Sequence, residues 1–94
     1  MEIVGQERLE KFARRHAAAR KPVRQWLDVA EAATWQRPAD IRRHFNSADF
    51  LDGNRVIFNL GGHHYRLVVV AIYAVGKLNV RWIGTHAEYR KLKF

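Results

Sequence analysis

The sequence predicts an α+β fold: an N-terminal helical hairpin packed on one face of a mainly antiparallel sheet of three to four strands, with a short C-terminal helical turn. Three observations carry this. Apolar residues recur at helical spacing as far as Phe45. After Asp52-Gly53 the period changes to two. Glycine turn signals, Gly61-Gly62 and Val75-Gly76, then cut the second half into pieces of strand length. A chain of 94 residues holds one domain, residues 1–94, and is too short for two. Because 48% of its residues are hydrophobic, it has the material for a packed core.

Met1 to Val4 could add a short strand, closed by Gly5. From Gln6 to His16, Leu9, Phe12 and Ala13 line one side, with Glu7 and Glu10 early and Arg14 and Arg15 late, the order the helix dipole favours. Pro22 suits a first-turn position. Val23, Trp26, Leu27, Ala30 and Ala33 then line a second helix that ends near Trp35. Pro38 opens a shorter helical turn through Ile41 and Phe45, stopped by Asn46-Ser47. Beyond it, strands are expected over Arg55–Leu60, His63–Ala74 and Lys77–Gly84.

If both turns contain two residues, Phe58 faces Tyr65 and Ile57 faces Arg66 in the first hairpin. In the second, Val69 faces Trp82 and Arg66 faces Thr85. One sheet face then collects Val56, Phe58, Leu60, Tyr65, Leu67, Val69, Ala71, Tyr73, Leu78, Val80 and Trp82 as core. The other gathers Arg55, Asn59, His64, Arg66, Arg81 and Thr85 around Ile57, Val68, Val70 and Ile83. A slip of one residue would exchange the faces. Arg55 or Arg81 alone could be an ordinary solvated charge, whereas Arg66 sits mid-ribbon between apolar neighbours. Trp26, Trp35 and Trp82 are expected in the core, and His16 and His44 on solvated helical surfaces.

The formal net charge is +8, and its distribution is uneven. Residues 1–53 carry ten Lys and Arg against eight Asp and Glu, whereas residues 54–94 carry seven against one, Glu88. A polyanionic partner is implied on the sheet side. The absence of cysteine excludes disulfides, thiolate nucleophiles and Cys-ligated zinc. His63-His64 could suggest a metal, but neighbouring strand residues point to opposite faces and no third ligand is evident, so no metal or other cofactor is expected. No stretch approaches the roughly 20 apolar residues of a membrane span, and a soluble, cytoplasmic protein is expected.

Several segments in order resemble the HigB group of type II toxin-antitoxin toxins, within the RelE-like mRNA interferases. They are Leu9-Glu10-Lys11-Phe12-Ala13, Trp35 with Arg37-Pro38-Ala39-Asp40-Ile41, and Ser47-Ala48-Asp49-Phe50. Asn54-Arg55-Val56-Ile57-Phe58-Asn59, Tyr65-Arg66-Leu67-Val68-Val69 and Gly84-Thr85-His86-Ala87-Glu88-Tyr89 follow. The resemblance covers essentially the whole chain. It implies a RelE-like fold and cleavage of mRNA in the ribosomal A site. Its partner would be a HigA-like antitoxin with a helix-turn-helix domain, through which alone the toxin would reach operator DNA. It places the family's active-site positions on Arg66, His86 and Tyr89. Arg90 is a departure, since similar sequences usually carry Asp after the tyrosine.

Metal-free RNA cleavage needs a base for the 2′-hydroxyl, a cation for the charge developing on phosphate, and an acid for the leaving 5′-oxygen. An unperturbed imidazole titrates near pH ~6.5 and can serve as base or acid, which suits His86. The planar fork of Arg66 suits the scissile phosphate, and Tyr89, on the same side of a helical turn as His86, could orient the nucleophile, share proton transfer or stack on a base. Arg55, His64, Arg81, Thr85, Arg90, Lys91 and Lys93 would bind the flanking RNA. The residues alone leave two other readings open: a non-catalytic RNA-binding module, and a degenerate toxin that acts only as the antitoxin's partner or co-repressor.

Overall fold

The computed structural model describes residues 1–92. Its elements are β1 (Glu2–Val4), α1 (Gln6–Arg15), α2 (Arg20–Ala32), α3 (Pro38–His44), β2 (Asp49–Leu51), β3 (Arg55–Leu60), β4 (Tyr65–Ile72), β5 (Lys77–Thr85) and α4 (His86–Arg90). The strands form one mixed sheet in the order β1-β5-β4-β3-β2, in which β1 runs parallel to β5 and the other pairs are antiparallel. The sheet therefore has five strands, not three to four. The expected short strand at the N-terminus is present. The extra one, β2, has only three residues and too little alternation to be read from the sequence.

Helices α1, α2 and α3 cover one face. Leu9 of α1, Trp26 and Ala30 of α2 and Ile41 of α3 meet Val56, Phe58, Leu67, Val69, Ala71 and Leu78 of the sheet, all buried. Phe58 is the hub, with the rings of Trp26 at 5.3 Å, Phe45 at 5.2 Å and Trp35 at 6.4 Å. Edge-to-face and stacked rings at these separations add to area burial. Of the two histidines expected on solvated surfaces, His44 is exposed as expected and also has a partner, whereas His16 is partly covered. His44 Nδ1 accepts from Trp35 Nε1 at 3.1 Å. His16 is half-buried and stacks on Phe12, centroids 4.2 Å apart.

The register differs from the two-residue-turn expectation in a way that matters. Each hairpin is closed by four residues: Leu60 pairs with Tyr65 around Gly61–His64, and Ile72 with Lys77 around Tyr73–Gly76. In the first turn Gly61 and Gly62 both have positive φ, 59° and 70°, a conformation glycine adopts without steric cost. His63 and His64 consequently lie in this exposed turn and not on opposite faces of a strand. Phe58 faces Leu67 and Asn59 faces Arg66, two residues from the expected pairing. A slip of two keeps every side chain on its expected face.

The β4–β5 pair contains a one-residue irregularity. Val69 faces Val80, but Val68 faces Trp82, and Arg81 is the extra residue between them. A bulge of this kind re-aims the side chains beyond it. Trp82 is therefore not a core residue: it leaves the helix-covered face for the open one, half-exposed, and Ile83 takes its place against the core. Arg66 faces Gly84, not Thr85, and Thr85 faces Tyr65.

Candidate active site

Along β5 the chain passes Trp82, Ile83 and Gly84 and turns at once into α4. Thr85 is the N-cap, in extended conformation, and its hydroxyl accepts a hydrogen bond from the Glu88 N–H at 3.1 Å. The Glu88 carboxylate accepts in return from the Thr85 N–H at 2.8 Å. This reciprocal capping box satisfies two backbone donors that a helix start leaves unpaired. A third tie comes from the His86 N–H, which donates to the carbonyl of His64 in the β3–β4 turn at 2.9 Å.

The hydrogen bond from the Thr85 N–H, and then that from its hydroxyl, hold the Glu88 carboxyl below its ordinary range. A carboxylate whose folded pKa is depressed stabilises the fold above its unfolded value, and that contribution is lost as pH falls through the folded value. Acidification below the usual glutamate range should therefore loosen α4. Thr85→Ala should do the same at neutral pH. Losing such a cap costs about 1 kcal/mol, and because no residue of α4 is buried, the cost falls on local opening. The expected result is faster amide exchange at Glu88 and Tyr89 with the protein's melting temperature nearly unchanged.

So placed, α4 carries Tyr89 back over the open sheet face. The Arg66 guanidinium carbon lies 5.0 Å from the centre of the Tyr89 ring, and the Trp82 ring lies 6.0 Å from it. A guanidinium over a tyrosine face is attracted by the ring quadrupole and keeps its donors pointing sideways. Gly84, across from Arg66, makes room for this cluster: a Cβ there would come within 2.4 Å of Trp82 Cη2 and Cζ2. On the other flank of Arg66 stands Asn59, whose Nδ2 donates to the Ser47 carbonyl at 3.1 Å. Arg66 Nε and Asn59 Oδ1 are both buried without a hydrogen-bond partner among the described residues. Such atoms are uncommon in folded proteins, and in native structures they often mark a function.

The other expected residues spread over the same face and its margins. Arg55 and Arg81 flank a cavity of about 510 Å³ floored by Val68 and Val70. Val70, the partner of Arg55, is four residues along β4 from Arg66, roughly 13 Å at the rise of a strand. Arg55 Nε also donates to the Asp52 carbonyl at 2.8 Å, which fixes that arm. His64 is exposed in its turn, and Arg90 and Lys91 are exposed on α4 and just beyond it. His86 is half-exposed at the first position of α4 and enters none of the ring contacts that join Arg66, Tyr89 and Trp82. Thr85 is engaged in the cap and faces Tyr65. Lys93 lies outside the described residues.

The structure thus brings Arg66 and Tyr89 into contact and leaves Arg55 and Arg81 as a second, separate basic pair. Sequence reasoning did not single out Trp82 and Gly84, and it noticed Asn59 only as a face residue. Trp82-Ile83 puts two large apolar residues in succession, but Val56-Ile57-Phe58 does the same in a regular ladder, so the pattern alone does not mark the bulge. Among the described residues no group of three or more His, Cys, Asp or Glu could hold a metal ion, and no helix is long and apolar enough to cross a membrane.

A family model described as HigB toxin, a RelE-like toxic component of a toxin-antitoxin system, matches residues 19–92. Comparison with curated proteins finds none that matches.

Proposed function

The chain belongs to the HigB toxin family of RelE-like toxic components of toxin-antitoxin systems, and from that premise we infer that it is an endoribonuclease toxin, one domain acting on mRNA in the ribosomal A site. The observation that supports this best is the guanidinium of Arg66 held against the ring of Tyr89 at the point where β5 hands over to α4. A cation and a phenol meet there over the open sheet face, and the imidazole proposed as their partner belongs to the first residue of the same short helix.

In this reading the 2′-hydroxyl of one nucleotide attacks the phosphorus that joins it to the next. A base takes the hydroxyl proton, and His86 is the group suited to it. Arg66 donates to the non-bridging phosphate oxygens and stabilises the extra charge of the transition state. The bond to the 5′-oxygen breaks, an acid returns a proton to it, and the products are a 2′,3′-cyclic phosphate and a free 5′-hydroxyl. Tyr89 keeps Arg66 in place and orients the nucleophile. Thr85 contributes through the cap of α4. Arg55 and Arg81 hold the strand further along, with His64, Arg90, Lys91 and Lys93 adding positive charge around the track. The antitoxin partner that the family implies is, in this reading, a HigA-like helix-turn-helix protein.

The test is induced expression followed by mapping of mRNA 5′ ends. New ends within translated reading frames, dependent on translation, are the expected outcome. Intact mRNA together with tight antitoxin binding would overturn the nuclease reading in favour of a partner or co-repressor role. Binding of RNA without cleavage, steeply weakened by salt, would instead favour a non-catalytic module.

A further inference from the structure

The bulge that turns Trp82 outward also opens a route away from the site. Trp82 and Ile83 form part of the floor of a groove of about 770 Å³ that runs between β5 and α1. Phe12 completes the apolar part of that floor, and the exposed side chains of Arg8, Lys11, Arg14 and Arg15 rise from α1 as its wall. Only two carboxylates, Glu7 and Glu88, line the groove against these four cations. Glu88 is already hydrogen-bonded in the cap of α4. Trp82 belongs to both regions, since its ring lies 6.0 Å from Tyr89, the residue that covers Arg66.

We propose that this groove binds single-stranded RNA next to the scissile phosphate, with one base stacked on Trp82 and the following phosphates held by Arg8, Lys11 and Arg15. The inference rests on the nuclease reading and adds to it a track that leaves the sheet over its β5 edge. An aromatic platform beside a cationic wall is the arrangement by which single strands are held without reading their sequence. Gly84 is part of the device, because any side chain there would displace the Trp82 ring. The wall belongs to α1, which lies before the residues matched by the family model, so the match itself does not carry the groove.

The experiment compares cleavage of a short mRNA on programmed ribosomes by the wild-type protein, Trp82→Ala, Trp82→Phe and the double variant Lys11→Glu/Arg15→Glu. Loss of a stacked base should lower kcat/KM roughly 5- to 100-fold for Trp82→Ala, while Trp82→Phe stays within about 3-fold because it keeps a π-face. The double variant lies on the exposed side of α1 and does not depend on how Trp82 packs. It should lose at least about 10-fold, with a shallower dependence on salt. A wild-type protein that cleaves while Trp82→Ala and the double variant match it would overturn the groove and leave the nuclease reading standing. Equal losses for Trp82→Ala and Trp82→Phe would overturn the stacking role. If the double variant loses antitoxin binding and keeps full cleavage, the groove is a protein interface and the proposal fails. A wild-type protein that does not cleave overturns the nuclease reading first.

Discussion

Arg66→Ala should reduce mRNA cleavage by roughly 10²–10³-fold, the usual cost of removing one preorganised donor from a developing oxyanion. Arg66 is held on β4 between Asn59 and Gly84, and its guanidinium rests on Tyr89. Little side-chain freedom remains to be lost when phosphate arrives. Arg66→Lys keeps a positive charge but loses the flat fork and much of the contact with the ring, so it should recover only part of the activity. Tyr89→Phe keeps the ring under Arg66 and tests the phenol alone. Single-turnover cleavage at saturating ribosomes separates these effects from binding. Full activity in Arg66→Ala would remove this residue from the chemistry. Because Arg66 Nε is buried without a hydrogen-bond partner among the described residues, the substitution deletes an unsatisfied donor and should leave folding intact.

His86→Ala should lower the same rate by roughly 10²–10⁴-fold, the range for loss of a general acid or base, with folding and antitoxin binding unchanged. The imidazole is half-exposed, at the start of α4, and supports no core contact. Its backbone tie to His64 survives the substitution, since the N–H is retained. Added imidazole should restore part of the lost cleavage, a rescue that a purely structural histidine would not show. Full toxicity of His86→Ala on induction would sink the assignment. The two substitutions should also combine sub-additively, because groups that serve one transition state fail together.

Most of the fold was legible because its signals are local and periodic. The helical stripes ending near Phe45 and the alternation from Arg55 onward correspond to α1, α2, α3 and β3, β4, β5 in order. The hairpin turns were read as two residues long and are four, yet Phe58 and Leu67 still fall on the core face, because side-chain parity survives a slip of two. Beyond the bulge parity does not survive. One extra residue, Arg81, reverses the assignment of Trp82, Ile83 and Thr85 together. A bulge is fixed by how the whole ladder satisfies its hydrogen bonds, which short-range pattern does not contain. The candidate site divided the same way. Arg66 and Tyr89 were placed by motif, and their contact depends on Gly84 and on the cap of α4, both of which act through three-dimensional fit.

The short helix α4 gives the site a thermodynamics of its own. It has five residues, none buried, and what holds it includes a capping box, one backbone bond to the neighbouring turn and the contacts of Tyr89 with Arg66 and Trp82. Helices this short do not persist alone in water, so Tyr89 and His86 are in place only in the fraction of molecules in which α4 is docked. If the proposed cleavage uses them, its apparent rate constant should be the intrinsic one multiplied by that fraction. Any ligand that binds only the undocked form lowers the fraction by mass action, and it does so without touching Arg66 or opening the core.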